Sequence, residues 1–373
     1  MPVRCRAGAA QGATGALCVA FGLLLLTGCA TPPATGPGPS LFPAPAVGPL
    51  PAPALAPDRS VSRASAAGRV AGRSERLLVY LPAAGDKIEA IAERFLGSAA
   101  LAWRIADVNG QGWEPDLARP ILVPLQAGSP LGISADGIQT VPILCYHRFG
   151  DGTSKMTVSP ANFEAQLDWL ARNHYKVLRL SDLGPFLAGK QALPQRSVVI
   201  TIDDGYESVH RFAWPLLKKY GFPATLFVYP DFIDSRDGLN WAQLQQLSES
   251  GVIDIQSHSK SHRNLIERRP GETDATYRQA IDTEARQPRA VMERRLAAVG
   301  VKVRHFAYPF GDANEAVLDA LQRADYELAV TVNPGGNAFY AQPLMLRRTM
   351  IFGDHDIEAF KQRLQIRRPL SRP

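Results

Sequence analysis

Residues 198–208 read VVITIDDGYES, four apolar residues and a threonine running straight into two adjacent carboxylates, Asp203 and Asp204. Neighbouring anions repel, and burying either one costs free energy unless a cation or hydrogen-bond donors compensate. The stretch therefore predicts something positive at the end of a buried strand. Five more short apolar runs have the same character: VPILCYH (141–147), ATLFVYP (224–230), VIDIQSH (252–258), VRHFAYP (303–309) and ELAVTV (327–332). They are continuous rather than alternating, as parallel strands covered on both faces require. Helical patterns separate most of them. SPANFEAQLDWLARNHY opens on Ser159-Pro160, WAQLQQLSES stops at Gly251, ANEAVLDALQRADY follows the fifth run, and residues 276–300 form a long charged helix that Pro288 is expected to kink or break. Alternating strand and helix predicts an α/β fold, either a barrel or an open sheet.

Four of these runs hand over to polar clusters at their C-terminal ends: Tyr146-His147, Asp203-Asp204-Gly205, Ser257-His258 continuing to His262, and Tyr308-Pro309-Phe310-Gly311. In a parallel α/β fold such ends share one face, so residues distant in sequence converge there. Two histidines four apart and one carboxylate suit zinc or a similar ion, with positions left for water and substrate. The second carboxylate is then free to take a proton from that water. Taken singly, the histidines read equally well as surface residues and DDG as a helix cap. Their conjunction at successive strand ends favours a site.

TIDDG together with HSKSH (258–262) resembles the signature of NodB-type polysaccharide deacetylases, carbohydrate esterase family 4, over roughly residues 140–352. The resemblance implies a deformed (β/α) barrel and metal-dependent hydrolysis of N-acetyl groups on a glycan. By position it makes Asp203 the general base and Asp204, His258 and His262 the ligands of a divalent metal, zinc first, with cobalt, nickel or iron as alternatives. The segment Tyr308, Pro309, Phe310 becomes the candidate for oxyanion and substrate contact. Two features depart from the common pattern: Ala307 stands where an arginine orients the base, and no clear Leu-x-x-His motif follows, His355 being a poor match. VPILCYHRF and FAYPFGD instead resemble the branch containing the poly-N-acetylglucosamine deacetylases, in which the early histidine is the acid; that makes His147 the candidate. Arg347 or Arg348 is the candidate replacement for the arginine, against the reading of a solvated basic pair. Of Tyr206, Trp241, Tyr308 and Phe310, only the last two are assigned to the site, because core packing is the commoner fate of aromatics. Cys145 reads as a buried core residue.

Outside residues 137–365, taken as the catalytic domain, the chain reads as an address, a tether and a small module. Arg4 and Arg6 precede an apolar run, Ala16 to Leu26, that is shorter than the ~20 residues a bilayer span needs. It ends in LTGCA, which resembles the lipobox of bacterial lipoproteins and implies cleavage of residues 1–28, lipidation of Cys29 and export, with outer-membrane sorting facing the periplasm. Residues 29–75 are Pro/Ala/Gly-rich, then basic, and are read as a disordered tether. Residues 76–126 show strand, helix, helix, strand, with Gly85-Asp86 expected to cap the first helix. GDKIEAIAERFLG, IADVNG and ILVPL resemble a LysM module, which implies contact with N-acetylglucosamine-containing glycan such as peptidoglycan. The 41 basic and 35 acidic residues are dispersed, with no dense basic block to indicate nucleic acid. The resulting expectation is a lipid-anchored envelope hydrolase acting on exopolysaccharide or peptidoglycan. The alternative is a glycan-binding protein with a decayed catalyst.

Overall fold

The computed structural model describes residues 68–110, 119–135 and 137–370. The signal segment, Cys29 and most of the tether lie outside them. Strands β1 (Arg69–Arg73), β2 (Leu77–Leu81) and β3 (Ile121–Pro124) form an antiparallel sheet in that order, with helices α1 (Ile88–Leu96) and α2 (Ala102–Asn109) between β2 and β3. Leu78, Tyr80, Ile91, Ile105 and Val123 fill its core. Two expectations are corrected here. β1 lies inside the stretch read as tether: it pairs with β2 through backbone hydrogen bonds, with a bulge between Val70 and Gly72, and such pairing needs no apolar pattern in its own side chains. Asp86 does not cap α1, which starts after Lys87 without a side-chain cap. Its carboxylate instead accepts from the Tyr80 hydroxyl and the Ala83 N–H, both at 2.9 Å, pinning the loop to the core.

The main domain runs β4 (Val141–Tyr146), α3 (Pro160–Arg172), β5 (Lys176–Leu178), β6 (Ser197–Ile202), α4 (Trp214–Tyr220), β7 (Ala224–Val228), α5 (Trp241–Glu249), β8 (Ile253–Ser257), α6 (Asp274–Arg295), β9 (His305–Ala307), α7 (Glu315–Arg323) and β10 (Leu328–Val330). The strand order is β10-β9-β8-β7-β6-β4, all parallel, with β5 beside β6. Every residue of β4, β6 and β7 is buried, because helices cover the sheet as continuous apolar strands demand. Ser159 caps α3, with Pro160 in its first turn, and Asn240 with Gln243 forms a reciprocal capping box on α5.

After β10 the chain adds β11 (Gly336–Asn337), antiparallel to the start of β4, and then β12 (Thr349–Met350), parallel to Leu144-Cys145 of β4. Just before β12, Leu346 bridges Val330 of β10: its N–H donates to Ala329 O at 2.9 Å and its carbonyl accepts from Thr331 N–H at 2.8 Å. Residues 346–350 therefore join the first and last strands and curl the sheet into the expected deformed barrel.

Pro288 does not break α6, which is continuous from Asp274 to Arg295. Pro288 is buried on one face with Tyr277, Ile281, Ala285 and Met292. An interior proline costs about 3 kcal/mol, while each large apolar side chain buried on that face returns about 1.5–3 kcal/mol. Packing wins over local propensity.

Candidate functional site

β6 delivers the two carboxylates, and the backbone then separates them. Asp203 ends the strand register, its N–H donating to Tyr146 O at 2.9 Å. Asp204 follows in the left-handed region, φ 73°, and Gly205 continues there at φ 88°. A Cβ on Gly205 would sit 2.9 Å from Val228 Cγ1, so both the turn and the space require glycine. This turn points Asp203 into the barrel and Asp204 into its mouth.

The positive partner of Asp203 is part of the chain. Arg348, fully buried, donates from Nη1 to Asp203 Oδ1 and from Nη2 to Oδ2, both at 2.7 Å. Its Nε donates to Thr331 O at 2.8 Å and Nη1 also reaches Thr201 Oγ1 at 3.2 Å. Burial opposes the charge on Asp203, but Arg348 holds the carboxyl well below the usual range. Arg347, one residue earlier, is exposed. Of the two arginine candidates the structure thus brings Arg348 to the carboxylate. The positive group that the adjacent aspartates call for is, at Asp203, this arginine. Cys145 is buried as expected, yet its thiol faces the site, donating to Asp203 Oδ2 at 3.5 Å, and burial pushes its pKa well up.

Asp204 has no such partner. Burial, with the Asp203 charge beside it, raises its pKa to about 6 despite His147 and a hydrogen bond from Tyr206. Its Oδ1 lies 3.6 Å from His258 Nε2 and 3.4 Å from His262 Nε2. One ligand atom from each of Asp204, His258 and His262 falls within 4.8 Å of the others. His258, at the end of β8, donates from Nδ1 to Ala307 O at 2.8 Å, which leaves Nε2 with its lone pair toward the mouth. Burial lowers the pKa of His258 to about 3 and also lowers that of His262, so both rings are neutral. A carboxylate lacking a counter-charge and two neutral imidazoles fit a divalent cation. Cys145, His147 and Asp203 form a second group of possible ligand atoms, but the bidentate Arg348 already supplies the cation there.

His147 follows β4, half-buried, and its Nδ1 is enclosed with no hydrogen-bond partner among the described residues. Burial lowers its pKa while Asp203 and Asp204 pull it upward. Of the Tyr308, Pro309, Phe310 segment only the last faces the mouth. Tyr308 is fully buried, its N–H donating to Val330 O at 3.1 Å and its hydroxyl to Leu344 O at 2.7 Å. Pro309 is buried and has no N–H to offer. Tyr308 and Pro309 are therefore corrected as substrate contacts: barrel closure uses the N–H and hydroxyl of Tyr308, and Pro309 is buried with its carbonyl accepting from Asp312 N–H. Phe310, 59% exposed, sits at φ 61° with its ring 4.9 Å from that of His262, and among the described residues its N–H has no acceptor. Trp241 packs against the core, and His355 is tied to Phe352 N–H and Arg363.

Sequence reasoning passed over Tyr229, whose ring lies 5.1 Å from that of His262, and gave no role to Tyr206, which carries the Arg148 guanidinium 3.8 Å over its face. Both directly follow or end strand runs, and that position was the available signal. A polar groove of about 480 Å³ lined by Arg148, Thr157, Tyr206, Glu207, Arg236 and Asp237 adjoins the mouth.

Residues 190–329 match the polysaccharide deacetylase family. That segment contains Asp203, Asp204, His258, His262 and Phe310 but neither His147 nor Arg348. YxkH of Bacillus subtilis (strain 168), a polysaccharide deacetylase by assignment, is 30% identical over 198 residues, covering 52% of this chain and 65% of its own. The poly-β-1,6-N-acetyl-D-glucosamine N-deacetylase of Escherichia coli (strain K12) is 24% identical over 244 residues, 56% of this chain and 36% of its own. The chain thus spans about two-thirds of the first relative and about one-third of the second. The Streptococcus pyogenes deacetylase PplD, solved with acetate, superposes with a TM-score of 0.55 at 23% identity, covering 61% of this chain and 99% of PplD. These likenesses assign the barrel to the polysaccharide deacetylase fold and relate it to poly-N-acetylglucosamine deacetylases.

Proposed function

We propose that the chain is a metal-dependent hydrolase that removes N-acetyl groups from an N-acetylglucosamine-containing polysaccharide. The observation that carries this reading is the division of labour between neighbours: Asp203 kept anionic by buried Arg348, beside an Asp204, His258, His262 triad that lacks a counter-charge. A divalent cation held by that triad supplies Lewis acidity toward the amide carbonyl and a more acidic water. Asp203 accepts the proton of the attacking water; the fork of Arg348 fixes both carboxylate oxygens and orients the base. The Phe310 N–H, without an acceptor among the described residues, donates to the oxygen that gains charge as the carbonyl is attacked. His147, whose Nδ1 is committed to no protein acceptor, delivers a proton to the leaving amine. Atoms balance: water adds to the carbonyl carbon, the C–N bond breaks, and acetate and a free amine leave. The polar groove beside the mouth suits the hydroxyl-rich flanks of a sugar chain.

Anchoring through Cys29, placement at the outer membrane facing the periplasm, and peptidoglycan contact by residues 76–126 belong to the same proposal. They rest on the signal-like and LysM-like sequence patterns. The test is acetate release from poly-N-acetylglucosamine, chitooligosaccharides and peptidoglycan by metal-loaded and chelator-stripped protein. Release from one of these polymers, abolished by chelator and restored by zinc or cobalt, is expected. Glycan binding without acetate release in metal-loaded protein would make the chain a binding protein instead.

A further inference from the structure

One buried carboxylate behind the mouth takes no part in the chemistry above. Glu284 lies on α6, 6% exposed, on the face that carries Tyr277, Ile281, Ala285, Pro288 and Met292. Among the described residues it makes no ion pair. Its three acceptor contacts all go to the loop between the two candidate metal-binding histidines: Oε2 accepts from the N–H of Lys260 and of Ser261, both at 2.9 Å, and Oε1 accepts from Ser261 Oγ at 2.6 Å. Leaving a charge in an apolar face is costly unless donors satisfy it, and here one short loop provides all of them.

That loop is strained. Ser259 and His262 both sit in the left-handed region, at φ 64° and 58°, although neither is glycine. Such residues persist only where their surroundings over-determine them. Glu284 grips the backbone midway between the two. Other ties are Asp231 N–H to Lys260 O at 3.2 Å and His262 N–H to Ser259 Oγ at 3.0 Å on the loop backbone, Lys260 Nζ to Asp231 at 2.7 Å, and Arg263 to Glu272 at 2.9 and 3.0 Å on its flank; Glu284 is the one side chain outside the loop that accepts from two of its N–H groups among the described residues. His258 is fixed separately, by β8 and by Ala307 O. His262 is the ligand whose aim depends on the loop.

We propose that Glu284 is a positioning residue for the metal centre: it holds the Ser259–His262 turn so that His262 Nε2 converges on Asp204 and His258, and it adds a negative charge behind the cation. The inference rests on the metal reading of the preceding subsection and deepens it. Groups one shell behind a metal ligand orient it, and their loss costs about 10–100-fold in affinity.

The experiment measures binding of Zn²⁺ and Co²⁺ to the metal-stripped chain by calorimetry, with the visible spectrum of bound Co²⁺ as a report on ligand geometry. E284Q keeps the size but turns an amide NH2 toward backbone donors; it is expected to weaken both metals about 10–100-fold and to alter the Co²⁺ spectrum. E284D, which retains the charge on a shorter arm, should recover part of the loss. The control is E293Q, on the same helix, where Glu293 ties Val303 N–H at 3.0 Å and Arg289 at 3.4 Å, far from the loop. It should lower thermal stability and leave metal affinity within about twofold of the parent. Should E284Q not fold, S261A removes one of the three contacts and is expected to weaken binding by a smaller factor. The proposal is overturned if E284Q or, failing that, S261A and E284D bind metal like the parent while D204N does not, or if E293Q weakens binding as much as E284Q. A parent chain that binds neither metal overturns the metal reading itself, and Glu284 with it.

Discussion

Behind Asp203 lies the closed interior of the barrel, with Arg348, Thr201 and Cys145 around it; in front of Asp204 lies the mouth, with His258, His262 and Tyr206. The same side chain, one residue apart, is held below the ordinary carboxylate range in the first setting and raised to about 6 in the second. Burial pushes both upward; a bidentate guanidinium decides the first case, and its absence decides the second. The difference teaches that the two regions solve the problem of a buried anion separately. The interior uses a cation that is part of the fold, and in the proposed reading the mouth would be completed by one that is not. The roles proposed above match this split: Asp203, paired with arginine, as the base, and the uncompensated Asp204 as a ligand.

The strongest way to break this comparison is to neutralise the interior acid. D203N should lower acetate release about 10²–10⁴-fold, the usual contribution of a general base, while metal titration still finds a site. Substantial activity in this variant would mean that Asp203 is not the base. Next is the interior cation. R348M leaves Asp203 buried and unpaired, and breaking such a pair costs about 3–5 kcal/mol of stability by denaturant unfolding. R348K should cost less, because it keeps the charge but loses the fork. The sign with pH is fixed by the depressed pKa of folded Asp203. Its stabilising contribution is present above the ordinary carboxylate value and disappears as pH falls through the folded one. The deficit of R348M should therefore shrink below pH about 4; a deficit independent of pH would argue that Arg348 acts by packing alone.

The mouth gives a smaller effect of opposite sign. With its pKa raised to about 6, Asp204 in the metal-free folded chain binds more protons than in the unfolded chain between the ordinary carboxylate value and 6. Stability of the stripped protein should therefore fall as pH rises through that window. A cation must displace this proton, so its affinity should rise by at least about tenfold per pH unit up to pH 6, more steeply wherever His262 is still protonated, and then level off. Calorimetric titration across this range checks it, and a flat profile would remove Asp204 from the ligand set. The smallest effect belongs to the rim. F310A should raise KM about 2–10-fold, the worth of one aromatic contact, with little change in thermal unfolding because the ring is exposed. An unchanged KM would deny it a substrate contact.

Much of the mouth was legible before the structure because it lies on short motifs at strand ends. DDG and HSKSH each hold their residues within five positions, and any parallel α/β arrangement brings such ends together. The interior was less legible. Arg347 and Arg348 are adjacent, and only strand alternation separates them. Leu344, Leu346 and Arg348 are buried while Met345 and Arg347 are not, a period of two that hints at the inward arginine but spans too few residues to decide it. Tyr308 misled in the opposite direction, since its place next to a proline-glycine turn suggests exposure, while closure of the barrel onto Leu344 buries it. Pro288 and β1 failed for a shared reason: local propensity and composition are weak terms that packing and backbone pairing override.

By itself, the chain marked its strand-helix alternation and the gathering of Asp203, Asp204, His258 and His262 at strand ends, because these depend on residue type and spacing over a few positions; which aspartate serves as ligand and which as base is what the family resemblance implies. Only the tertiary structure decided which arginine charges the interior, which of three residues in the Tyr308–Phe310 segment keeps a free N–H, and that Glu284 grips the histidine loop. Each of those rests on contacts between segments far apart in sequence, 145 residues in the case of Arg348 and Asp203, and the energy of such contacts exists only once the barrel has closed.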